Sequence, residues 1–178
     1  MASKIRWQRF PKSGPTSLLG QRIVQIFEAN HAQFSSETHN LNSDGVLGII
    51  GSKLRELGFQ VETGKSKDGK IPVPVLYGQN GQIEKAFFAD SFHPQEKYML
   101  EVEAGRGVVN YQFLKDLFQA CASESVDNLA IAVRNKYKGS DDFGKVCMFI
   151  ETLFVGRRLV LPLLRAHRPA AGHNRRAA

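Results

Sequence analysis

Apolar positions recur at helical spacing in two early segments of the chain. Leu19, Ile23, Ile26 and Phe27 form one stripe and predict a helix from a Thr16 or Ser17 cap to about Gln33. After the polar run SSETHNLNSD, the residues Val46, Leu47, Ile50, Leu54 and Leu57 form a second stripe. They predict a helix capped by Ser43 or Asp44 and stopped by Gly58. The period then shortens. Phe59–Glu62 reads as a short strand, and residues 71–77 (IPVPVLY) read as extended chain. Pro72 and Pro74 keep that segment out of a central, fully paired position. A QNGQ turn leads into a strand over 83–92, and HPQEK connects it to another over 98–104. A helix follows at about 109–122, with an apolar face of Val109, Phe113, Leu114, Leu117, Phe118 and Cys121. The nearly all-apolar 129–134 reads as a buried central strand. DDFGKVCMFIETLF predicts a last helix and RLVLPLL a last strand. This order, α-α-β-(β)-β-β-α-β-α-β, predicts an α/β (mixed α+β) fold, one central mixed sheet flanked by helices.

Length and composition narrow the picture. At 178 residues with 42% hydrophobic content, the chain fits one domain over 17–164, between a basic N-terminal arm (1–16) and a basic tail (165–178) that has no packable pattern. No apolar run is long enough to cross a bilayer, and the first residues lack an apolar signal core, so a cytoplasmic protein is expected. Cys121 and Cys147 lack zinc-type spacing and are expected to be free thiols. The net charge of +7 sits at the ends: Lys4, Arg6, Arg9 and Lys12 in the arm, and Arg165, Arg168, Arg175 and Arg176 in the tail. Without these eight bases, the rest of the chain has one more acid than it has bases. Basic ends of this kind either engage phosphate or only solubilise the chain.

Candidate chemistry centres on the strands at 83–92 and 98–104. Alternation places Tyr98, Leu100, Val102 and Ala104 on a core face and Met99, Glu101 and Glu103 on the other. Asp90 is a lone acid near the end of an apolar strand, on a face with Phe88 and Phe92. If the two strands form a hairpin, Asp90 approaches Glu101. Clustered carboxylates repel unless a cation lies between them, and Mg2+ (or Mn2+) is the hard cation that oxygen ligands of this kind take. Asp90 and Glu101 are then the metal-holding pair, with Glu103 placed to orient or deprotonate a water, a combination suited to phosphodiester hydrolysis. An ExE pair on a solvated sheet face is the bland alternative. Neither a phosphate loop nor a nucleophile elbow is present, and the five histidines show no metal-binding spacing.

Asp90 followed by Glu101-Val102-Glu103 on consecutive strands, then a helix and a strand, resembles the PD-(D/E)xK nuclease superfamily, the restriction-endonuclease-like fold. The resemblance spans roughly residues 44–135 and matches that family's α-β-β-β-α-β core order. Where the family usually has Lys this chain has Glu103. That places it with the ExE/ExQ subset of Bam- and Bgl-type type II restriction enzymes, which EVEAGRGVVNYQFLKDLF also resembles. The resemblance implies a Mg2+-dependent endodeoxyribonuclease that cuts double-stranded DNA as a homodimer, with Asp90, Glu101 and Glu103 catalytic. Family members often add an acid from the first core helix; Glu56 and Glu37, with Glu28 further off, are the candidates here. Arg106, Lys115, Arg134 and Lys136, the last continuing to Lys138, are candidate DNA contacts. Two other readings stay open: an inactive nucleic-acid-binding module of the same fold, and a protein-interaction subunit.

Overall fold

The computed structural model describes residues 5–64, 66–105, 108 and 110–156. The expected strand at RLVLPLL, the basic tail, Lys4, Arg106 and Val109 lie outside the described residues. Helix α1 runs over Leu18–Phe34 and α2 over Ser43–Glu56. Short strand β1 (Gln60–Val61) follows, then a long hairpin of β2 (Ile71–Tyr77) and β3 (Ile83–Ala89). Next come β4 (Ser91–His93), β5 (Tyr98–Glu103), α3 (Gln112–Ala122) and β6 (Asn128–Val133). A small hairpin of β7 (Lys136–Tyr137) and β8 (Ser140–Asp141) leads into α4 (Asp142–Gly156). The result is a mixed α+β fold around a four-stranded mixed sheet in the order β1-β4-β5-β6, with β5 and β6 parallel and the other pairs antiparallel. No helix among the described residues is long and apolar enough to cross a membrane.

Local chemistry accounts for the helix ends. The Ser17 hydroxyl accepts from the Gly20 N–H and caps α1 as its sequence predicts. At α2 the cap is Asn42, whose Oδ1 accepts from the Gly45 N–H; the expected caps Ser43 and Asp44 are the first helical residues instead. Ser43 is thereby released to accept from the Ala104 N–H, which ties the start of α2 to the end of β5. Gly58, at φ +97, ends α2 in a left-handed conformation that a side chain would resist.

Two apolar cores flank the sheet. On one side, Leu100, Val102 and Ala104 pack with Ile23 of α1 and Val46, Leu47, Ile50 and Leu54 of α2. On the other, Met99 and Phe92 pack with Val73 and Ala89 of the β2–β3 hairpin, Ala120 of α3 and Val126. Both faces of β5 are therefore covered, and its other face is no solvated surface.

Three expectations are corrected. The single strand over 83–92 breaks at Asp90: β3 pairs only with β2, whereas β4 pairs with β1 and β5. Phe88 consequently lies exposed while Phe92 is buried. Among the described residues strand β6 lies at the edge of the sheet, half-buried at all six positions; an apolar run reports burial of the faces but not of the hydrogen-bonding edge. The inner stripe of α3 is Phe113, Asp116, Leu117 and Ala120, and Phe118 is 69% exposed. The helix is rotated from its most apolar face, with Phe113 against Phe149 of α4 and Ala120 in the core with Val73 and Met99.

Leu54, fully buried between α2 and the sheet, tests this packing. Leu54→Ala is expected to cost about 2–5 kcal/mol in urea unfolding. A loss below about 1 kcal/mol would mean that α2 does not seal the sheet face as described.

Candidate functional site

The break between β3 and β4 creates the site. The register Ser91↔Leu100, extended by one residue, brings Asp90 opposite Glu101. Beyond Ser91 the ladder is continued by the Asp90 side chain, whose Oδ2 accepts from the Val102 N–H at 2.7 Å. The Asp90 carbonyl accepts from the Glu62 N–H at 2.9 Å, so the same residue also holds the chain leaving β1. Asp90, Glu101 and Glu103 line one cavity of about 330 Å³. Its walls come from Phe87 and Phe88 of β3, Glu62 after β1, Ser43 of α2, and Lys115, Asp116 and Gln119 of α3, with Lys70 at the hairpin base. The three acids identified from the strand pattern are thus brought together.

Burial dominates the electrostatics. Glu101 is 6% exposed in the middle of the sheet. Loss of water pushes its carboxyl up to about 10, with the charges of Asp90 and Asp116 adding to the rise. The Asp90 backbone N–H is directed at this carboxyl, but Oε1 is buried without a hydrogen-bond partner. Burial likewise lifts Asp90 to about 6, against the opposing pull of the Val102 N–H. Asp116, 1% exposed, is raised by burial and by the charge of Glu103, and its Oδ2 has no hydrogen-bond partner. Buried oxygens without partners are costly and rare in folded proteins.

These residues suit a hard cation. Among the described residues no three His, Cys, Asp or Glu side chains form a ready-made metal cage. Mg2+ needs none, because it takes one or two carboxylates and keeps several waters. Asp90 and Glu101 supply adjacent carboxylates, and Glu101 Oε1 has no hydrogen-bond partner among the described residues.

The other candidates divide. Lys115 lines the cavity, with its Nζ 3.6 Å from Asp116 Oδ1. Lys70 also lines it, stacked over the Phe88 ring at 5.3 Å. Positive charge at the site therefore comes from α3 and the hairpin base, and not from residue 103. Glu56 is exposed and paired with Lys53 at 2.9 Å, while Glu37 is exposed in the loop after α1; neither lines the cavity. The acids that do join it, Glu62 and Asp116, escape strand-alternation reasoning. The one signal for Asp116 is an acid interrupting the Phe113, Leu117, Ala120 spacing. Arg134 donates to the Leu41 carbonyl at 2.7 Å and stacks on Tyr137, and with Lys136 it borders a different, apolar groove. Lys138 is exposed and also lies over the Tyr137 ring, at 5.5 Å from its centroid. His93 is buried in β4, bonded to the Leu57 carbonyl and the Glu96 N–H, away from the cavity. Within the basic arm, Arg6 pairs with Asp141 at 3.0 Å and Lys12 with Glu151 at 2.6 Å, so these two bases bind the start and body of α4.

Glu101 yields a pH prediction. Below its ordinary value near 4.5, both folded and unfolded chains are protonated there. Above 4.5 the unfolded chain releases the proton and the folded chain keeps it, so stability falls as pH rises towards about 10. Glu101→Gln removes that loss. The variant is expected to match the parent near pH 4.5 and to exceed it by on the order of 3 kcal/mol at pH 7 in metal-free unfolding. A variant less stable than the parent at pH 7 would show that Glu101 is a structural acid.

Comparison with protein-family models, curated proteins and solved structures finds no match to this chain.

Proposed function

We propose that this protein is a Mg2+-dependent endodeoxyribonuclease of the restriction type, hydrolysing phosphodiester bonds in double-stranded DNA. The observation that carries the reading is the convergence of Asp90, Glu101 and Glu103 in one cavity, with a buried Glu101 oxygen that has no partner among the described residues. The resemblance to the PD-(D/E)xK core adds support, since Asp90, at the break between β3 and β4, precedes Glu101 and Glu103 on β5, and α3 and the parallel strand β6 follow. The cavity also lies towards the carboxyl end of β5, the usual end for ligands in sheets of this kind.

In this reading Asp90 and Glu101 hold the cation. Bound there, a divalent ion would polarise a phosphoryl oxygen and acidify a water. Glu103, one pleat beyond Glu101 on the same strand face, orients the attacking water and accepts its proton. Lys115 and Lys70 supply the positive charge that the family usually places at residue 103, and they draw the scissile phosphate towards the acids. Phe87 and Phe88 narrow the approach. Cutting both strands of a duplex calls for two such sites related by two-fold symmetry, hence a homodimer.

Cleavage of supercoiled plasmid in Mg2+ or Mn2+ tests the proposal. The parent protein is expected to produce nicked and linear forms, and Asp90→Ala to be slower by more than about 100-fold. Equal cleavage by both proteins, or cleavage that ignores the metal, would sink the reading. DNA retention without cleavage and without response to Mg2+ would favour the inactive binding module; failure to retain DNA at low salt would favour a protein-interaction subunit.

A further inference from the structure

We propose that the cavity takes a second hard divalent cation, Mg2+ or Mn2+, on its α3 side, bound by Glu101, Asp116 and Gln119. The proposal deepens the nuclease reading and rests on it in one respect: Glu101 is shared with the cation that Asp90 holds.

Four buried side-chain atoms among the described residues lack a hydrogen-bond partner, and all are oxygens: Glu101 Oε1, Asp116 Oδ2, Gln119 Oε1 and Asp142 Oδ1. The first three belong to residues that line this one cavity; the fourth lies at the start of α4. Such atoms are rare, because each has given up its hydration with nothing in return. All three at the cavity are acceptors, so what they lack is a donor or a cation. The cations in the wall do not supply it. Lys115 Nζ is 3.6 Å from the other Asp116 oxygen, Oδ1, and its side chain is more than half exposed. Lys70 lies over the Phe88 ring.

The fold brings these oxygens to one side of the cavity. Phe113, Asp116, Leu117 and Ala120 are the buried stripe of α3, and an apolar residue at 116 would suit that stripe. Asp116 stands there instead, 1% exposed. Gln119 follows at i+3, next to Asp116 on the helix surface. Met99, two residues before Glu101 on the same face of β5, packs with Ala120, which sets α3 against the face that carries Glu101.

Two carboxylates and an amide oxygen are ligands for a hard cation, which fills its remaining positions with water. With Gln119 as third member, the set differs from a group of three His, Cys, Asp or Glu side chains, none of which occurs among the described residues. Charge favours a second ion. Glu62, Asp90, Glu101, Glu103 and Asp116 line the cavity with only Lys70 and Lys115 among the described cations there. When all are ionised, one divalent ion leaves the acids in excess, and the second removes that excess. The Glu101 carboxylate has lone pairs for both ions. Asp90 Oδ2, by contrast, is held by the Val102 N–H, so Asp90 serves the other side of the cavity.

Calorimetric titration of the metal-free, full-length protein with Mn2+ tests the site without relying on cleavage. The parent is expected to bind two ions per chain. Asp116→Asn keeps the side-chain shape and removes its charge. Gln119→Ala removes an oxygen from a half-buried helix position. Each variant is expected to retain one ion and to weaken the other by at least about 10-fold, the cost to a metal site of losing even an outer-shell partner. The Asp116→Asn protein without metal should melt no lower than the parent, since a buried charge short of partners is gone. One ion per chain in a parent that cleaves plasmid would overturn the proposal and leave the nuclease reading. Two ions of unchanged affinity in both variants would overturn it too; with a lowered Tm for Asp116→Asn, they would make Asp116 a structural acid. Two ions in a parent that cleaves no DNA, one of them weakened in both variants, would support this site and remove the nuclease reading. No uptake of Mn2+ at all would remove both.

Discussion

The burial of Glu101 in the middle of β5 is the constraint on which the rest of the site depends. Strand β5 lies inside the sheet and is covered on both faces, by α1 and α2 on one side and by α3 and the β2–β3 hairpin on the other. Met99, at the start of its second face, is absorbed by an apolar core. Two residues on, Glu101 is buried with only the Asp90 backbone N–H and the charge of Lys115 to oppose its desolvation, and with no hydrogen-bond partner for Oε1 among the described residues. The protein meets this cost by keeping the carboxyl protonated. A fold selected for stability alone would place an apolar residue there. The arrangement makes sense as a site held ready for a positive charge.

Around that residue the fold is organised by an interruption. Asp90 ends one hairpin and begins the next, and its side chain replaces a missing rung of the ladder by accepting from Val102. The β2–β3 hairpin can then leave the plane of the sheet and wall the cavity with Phe87 and Phe88, while β4 remains paired with β5. Asp90 therefore has two tasks, terminating pairing and presenting a carboxyl, and the hydrogen bond that performs the first fixes the geometry of the second. Ser43 joins this corner in the same way: displaced from capping α2 by Asn42, it anchors Ala104 just beyond the acids.

Charge placement is also reworked by the tertiary structure. The basic arm reads in sequence as either a phosphate-binding or a solubilising extension, but Arg6 and Lys12 are engaged by Asp141 and Glu151, and Phe10 stacks with Phe154. Among the described residues, the cations that line the cavity with the acids come from within the body, at Lys70 and Lys115. Local basic residues of a chain that is nearly neutral between its ends thus matter more at the cavity than the net charge does.

Periodicity by itself determined the helices, most strands and the pairing of three acids. Those features depend on neighbours three or four residues apart in a helix and two apart in a strand. Ser17 at the start of α1, Gly58 at the end of α2 and the alternation through β5 all act at that range. What only the tertiary structure decided depends on contacts between distant segments. The split at Asp90 follows from which strand each half pairs with, and nothing within 83–92 encodes that choice. Strand β6 became an edge because no described strand pairs on its far side. The orientation of α3 that buries Asp116 and leaves Phe118 in solvent follows from distant packing, Phe113 against Phe149 of α4 and Ala120 against the β2–β3 hairpin core, since a helix packs the face its neighbours can accept and not always its most apolar one.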